Sequence, residues 1–204
     1  MDLLDDGART GTAGFVLSRL LLAPPSQALA QSFATAQMRE TWPLRDPGST
    51  TALERLGADP YESLPREYST LFRRAPALVP LHESTWRPVD RTRLVADLAA
   101  SYRGANFTGL PTPADDHVGY QVAYLAHLAT AVGRGGADRP AARAAAETAA
   151  GFRAAHLDLV VDPILQGIET YARTGLYRAL PGLLRGFLTE HARLCAAVLD
   201  HQPA

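Results

Sequence analysis

The chain has 204 residues, 47% of them hydrophobic, and 20 Lys and Arg against 21 Asp and Glu leave a formal charge of −1. That length allows one substantial core or at most two small lobes, and the near-neutral balance offers no basic field for a phosphate backbone, so no nucleic-acid partner is expected. The single cysteine, Cys195, excludes an internal disulfide framework and fits a reducing compartment.

Asp2, Asp5 and Asp6 stand where a secretory signal would be basic. The apolar run at residues 15–22 is broken by Arg19 and stopped by Pro24 and Pro25, well short of the roughly 18 apolar residues a membrane helix needs. The expectation is a cytoplasmic protein without stable membrane insertion. Residues 1–10 are expected to be disordered. A first helix follows at residues 14–22, and Pro25 or Ser26 opens a second, to residue 38, with Leu29, Phe33 and Met38 on one side. Pro, Asp and Gly mark residues 42–50 as a loop. A short helix at residues 51–56 ends at Gly57 and Pro60, and the next spans residues 61–72.

Tyr68, Leu71 and Phe72 form the apolar stripe of that helix, and Pro76 and Pro80 forbid its continuation. The loop beyond holds Leu78, Val79, Leu81, His82, Glu83, Ser84 and Trp86. A loop this apolar is either pinned to the core or presents a binding surface. Pro88 and Asp90 open a helix through Tyr102, with Leu94, Leu98 and Tyr102 on one face. After a second loop, Thr112 reads as an N-cap, Pro113 as the first helical residue and Asp115 as the third. That helix runs to Val132 with Val118, Val122, Leu125 and Leu128 inward, and Gly133 to Gly136 stop it. Three more helices are expected, at residues 140–155, 157–171 and 181–199. The architecture is all-α, one helical domain over residues 1–204 with about eight to eleven helices.

The order of residues in the first loop and the second helix start resembles a known family. Glu67-Tyr68, Leu71-Phe72, Pro80, Glu83-Ser84 and Trp86 are similar to the signature of the TorD/DmsD/NarJ chaperones of redox-enzyme maturation. Pro113, Asp116, His117, Gly119, Leu125 and Leu128 match a second signature, an Asp-His pair opening a leucine-striped helix. Phe152, His156-Leu157, Tyr177, Leu180 and Leu184 resemble a third. The resemblance implies a TorD-like helical bundle that is a chaperone and not an enzyme. It implies a client of the DMSO reductase class of molybdenum enzymes. The chaperone holds that client's twin-arginine signal peptide, or its apo form, until the cofactor is inserted. It carries no cofactor of its own, and is a monomer or dimer. The client-binding residues it points to are Leu71, Phe72, Pro80, Glu83, Ser84, Trp86, Pro113, Asp116 and His117. One departure is Gln121, where many relatives carry Glu.

Each candidate also has a plainer reading. Asp115, Asp116 and His117 can be a charged helix start; as a site, Asp116 would accept charge-assisted hydrogen bonds from a partner's arginine, with His117 beside it as donor, acceptor or pH reporter. Glu83 and Ser84 can bond their own backbone, or face the Asp-His pair across a groove. Leu71 and Phe72 read as core or groove wall. A NarJ-like chaperone of a non-exported nitrate reductase subunit is one alternative. Another is a helical metal-dependent enzyme using Asp115, Asp116 and His117. The six histidines show no HExxH or CxxC spacing, and no phosphate-loop motif is present. Cys195 sits in an apolar stripe, as an inert thiol does.

Overall fold

Ten α-helices follow one another along the described part of the chain. They are α1 (Leu3–Leu22), α2 (Gln27–Phe33), α3 (Ala36–Thr41), α4 (Pro47–Glu54), α5 (Ser63–Tyr68), α6 (Arg91–Gly104), α7 (Val118–Arg134), α8 (Arg139–Ala155), α9 (Val161–Tyr171) and α10 (Gly175–Leu199). The structure, a computed structural model, describes residues 2–57, 59–108, 115–137 and 139–200. No strand forms among them, so the all-helical expectation holds.

α7 is the central element. Val118, Val122, Leu125, Leu128 and Val132 are buried as expected, but so are Gln121, Tyr124, Ala126 and Ala129. A helix buried nearly all round needs neighbours on every side. α1, α8 and α10 supply them.

The N-terminal expectation needs correction. Residues 3–10 are the first turns of α1, not a frayed tail. Asp2 caps the helix by accepting from the amides of Leu4 and Asp5 at 3.0 and 3.2 Å. Gly7, Gly11 and Gly14 then lie on α7 and α10: a Cβ at Gly7 would stand 2.6 Å from the Cα of Gly133, and one at Gly14 2.6 Å from the Phe187 ring. Three glycines weaken an isolated helix; here they allow backbone-to-backbone packing that restores it.

Other helix ends also move. The second helix divides at Thr35, whose hydroxyl accepts from Met38 N and caps α3. The loop expected at residues 42–50 is partly helical, because Asp46 caps α4 through Ser49 N at 2.8 Å with Pro47 in the first turn. α5 ends in a π-helical turn, Ser69–Arg73, and a 3-10 turn, Leu157–Leu159, precedes α9. α10 starts at Gly175, and Pro181 lies inside it rather than at its head. Its N-terminus is held from outside. Asp59 accepts from the amides of Gly175 and Leu176 at 3.0 and 3.1 Å, and Glu67 from those of Arg173 and Thr174.

Candidate functional site

The first motif builds the frame of the site. Tyr68 donates to the Leu21 carbonyl at 3.0 Å, and its ring meets Phe72 edge-on at 5.2 Å. Phe72 is half-buried against the core and meets Tyr177. Leu71 is buried, and its carbonyl accepts from Val79 N at 2.8 Å, folding the loop back onto its own helix. The Trp86 indole donates to the Pro80 carbonyl at 2.9 Å. With Val79 and Leu81 buried, the loop is pinned to the core; Leu78 stays exposed. Leu71, Leu78 and Tyr171 line a cleft of about 570 Å³ together with the charged Glu62, Arg66, Glu67 and Arg173.

The loop then meets the start of α7. Glu83 N donates to the Asp116 carbonyl at 3.0 Å and Val118 N to that of Leu81 at 2.7 Å, an isolated antiparallel bridge between His82 and His117. The two imidazoles stand edge to face, 5.1 Å apart. Residues 116 and 117 are thus held in extended backbone against residues 82 and 83, and the Val118 amide, which has no partner within the first turn of a helix, is satisfied by Leu81. The expected helix start is corrected accordingly. α7 begins at Val118, capped by His117, whose Nδ1 accepts from Gly119 N at 3.0 Å, and Asp115 precedes the helix. Thr112 and Pro113 lie outside the described residues.

Two carboxylates are fully buried at this junction, Glu83 and Asp116. Asp116 Oδ2 accepts from Ser84 N at 2.8 Å and Oδ1 from Arg91 Nε at 3.0 Å. Burial alone would raise its pKa, but the bonds from Ser84 and the Arg91 charge hold it down to about 2. Glu83 takes Gln121 Nε2 at 2.7 Å, His156 Nδ1 at 3.2 Å and a close ion pair from Arg87. Burial, then the neighbouring His82, lowers His117 to about 4 against the pull of Asp116. A neutral ring near pH 7 suits a nitrogen that accepts from Gly119.

The fold therefore gathers Glu83, Ser84, Asp116 and His117, as the motifs suggested, but joins them directly. Asp116 and Glu83 face partners of their own chain, and Pro80 and Trp86 brace the loop behind them. Leu71 and Phe72 lie at the other end of the loop. Ser84, Trp86 and His117 are part-exposed, and beside them lie three side chains the motifs did not single out as a binding set: His82, 42% exposed, Asp115, 33%, and Arg91, 58%. Arg91 Nη2 donates to Asp115 Oδ1 at 3.1 Å, and His82 Nε2 lies 3.4 Å from the same oxygen. His82 adjoins Glu83 in the sequence and was visible there; nothing local marks Arg91, which follows the α6 cap Asp90.

The metal-enzyme alternative also changes. Among the described residues His82, Asp115 and Asp116 could bring ligand atoms within 4.8 Å of one another, not the set with His117. Arg91 bonds both carboxylates, so a cation would have to displace a guanidinium already neutralising them. No described helix is long and apolar enough to cross a membrane. Cys195 is buried, and burial pushes its thiol up to about 11.

A family model described as nitrate reductase delta subunit matches residues 22–163, more than two thirds of the chain. No curated protein matches, and no solved structure does. The matched region contains the bridged loop, the buried carboxylates and all of α7. The chain belongs to the nitrate reductase delta subunit family, the NarJ/TorD-type chaperones that assist the assembly of molybdoenzymes.

Proposed function

We propose that this chaperone binds the N-terminal twin-arginine signal of an apo-molybdoenzyme of the DMSO reductase class and retains the enzyme until its cofactor is in place. The observation that carries this is the loop at residues 78–82. At one end Leu78 lines the cleft with Leu71 and Tyr171; at the other His82 stands beside Asp115 and the Arg91-capped Asp116. Four residues of chain separate the ends, at most about 14 Å. A peptide that is basic and then apolar can lie along it, with its arginines at Asp115 and Asp116 and its apolar part in the cleft. Glu83, Ser84, His117, Pro80, Phe72 and Trp86 act as the frame, and Pro113 adjoins the acidic end in sequence.

The test is titration of a labelled twin-arginine signal peptide against the chain at rising salt. Binding should weaken with salt, because the exposed part of the acidic end is screened. Leu78→Asp should weaken it at every salt concentration. A peptide with both arginines replaced by alanine that bound equally well would refute the electrostatic half. A second reading is favoured by the family description itself: a NarJ-type chaperone attending a nitrate reductase subunit that is not exported. The N-terminal peptide of such a subunit, lacking the arginine pair, would then outcompete the signal peptide.

A further inference from the structure

We propose that Arg91 is an internal stand-in for the partner's arginine, seated on Asp115 and Asp116 until a client guanidinium replaces it. This rests on the signal-peptide reading above and adds how the acidic end is kept closed without a client. The two buried carboxylates are treated differently. Glu83 is sealed by three groups, Arg87, Gln121 and His156, of which Arg87 is 25% and His156 12% exposed. Asp116 is held by Ser84, through its amide and its side chain, and by the neighbouring Asp115, and among the described residues its cation is Arg91, whose side chain remains 58% exposed.

Arg91 gains nothing from its own helix. It is the first residue of α6, where the positive end of the helix dipole disfavours a cation. Its guanidinium spans two carboxylates through Nε and Nη2, a geometry that lysine cannot copy. Arg91 itself lies at the surface, so its guanidinium can be exchanged for another that meets the same buried Asp116 and part-exposed Asp115, whereas its loss without replacement would leave the Asp116 charge buried and unpaired. An incoming arginine meets the same two acceptors, and the released Arg91 returns to solvent. The sites thus select guanidinium by the chemistry already occupying them. A tethered arginine acts as a competitor, and removing it raises the apparent affinity for the external one.

Two measurements on the full chain test this. In Arg91→Ala, methylguanidinium should raise the thermal midpoint above what equal methylammonium gives, and wild type should show no such difference. Arg91→Ala should also bind the twin-arginine peptide more tightly than wild type, by at least the roughly twofold to fivefold that the exposed Asp115 half of the pair is worth. If Arg91→Ala does not fold, Arg91→Lys, which keeps a cation but not the fork, serves the same comparison. Absence of selective rescue, or weaker peptide binding by the variant than by wild type, overturns the proposal. Wild type binding the peptide while the variant shows neither effect removes the role of Arg91 and leaves the signal-peptide reading. Selective rescue with no peptide bound by either protein removes the signal-peptide reading, and the partner half of this proposal with it.

Discussion

Gln121→Glu tests how the buried Glu83 is held. In the wild type Gln121 Nε2 donates to Glu83 Oε2 at 2.7 Å, with both side chains fully buried. A hydrogen bond to a charged group is worth about 1.5–3 kcal/mol, and the ionised variant loses it. Two carboxylate charges about 4 Å apart at an effective dielectric near 20 repel by about 4 kcal/mol. The pair will instead share a proton. Arg87 and His156, which also face Glu83, offset part of the cost. The expected net loss is about 2–4 kcal/mol at pH 7.5. The sign with pH follows from the proton. A carboxyl whose folded pKa rises above about 4.3 costs nothing below that value, where both states are protonated and the acid can donate as the amide did. The penalty then grows as pH rises, up to the folded pKa. Urea unfolding of both proteins at pH 5, 6 and 7.5 measures the gap, which should narrow toward pH 5. A gap under about 1 kcal/mol at pH 7.5, or one independent of pH, refutes the argument that Gln121 supplies a needed donor.

Three further outcomes are expected. Gly7→Ala should lower the thermal midpoint, since its Cβ meets backbone on α7 at a cost of about 1–3 kcal/mol, whereas Gly151→Ala, with nothing within 4 Å in mid-α8, should raise stability by about 0.5–1 kcal/mol. Asp116→Asn should destabilise by about 1.5–3 kcal/mol in urea, because one amide cannot accept from both Ser84 N and Arg91 Nε; an unchanged midpoint would restore the view of Asp116 as a simple helix-start charge. On acidification, His191 and His117, lowered by burial to about 3 and about 4, stay neutral while the unfolded chain takes up protons below about 6.5. Stability should therefore fall between about pH 6.5 and 4, less steeply in His191→Gln, while the contribution of Asp116 persists above about 3.9 and is lost only toward about 2.

The helical class was legible because the apolar spacing of α6 and α7 is regular: Leu94, Leu98 and Tyr102, and Val118 to Val132, are buried where the period puts them. What the sequence hid is tertiary. The glycines of α1 look like helix breakers until Gly133 and Ala126 are set against them. Pro181 looks like a helix start although Thr174, which caps α10 through Tyr177 N, is the local signal; the two carboxylates that also hold that end, Asp59 and Glu67, lie more than a hundred residues earlier. At the site, the family resemblance suggested that Glu83 and Ser84 face Asp116 and His117 across a groove; the structure puts them in direct contact through Ser84 N and Glu83 N. The motifs did not reveal that the carboxylates face inward. Arg87 follows Glu83 by four residues, a spacing visible in the sequence, but the cation of Asp116 comes from 25 residues away, and nothing local to Arg91 announces that partner.

The glycine seam between α1 and α7 also sets a timetable for synthesis. α1 is complete at Leu22, but the helix that covers it is complete only at Arg134. Roughly 110 residues must be added in between, about 6–22 s at 5–20 residues per second. During that interval the face bearing Gly7 and Gly11 lacks the backbone of α7 that packs on it. A protein that shelters another chain during its maturation thus begins life with a stretch of its own that needs sheltering.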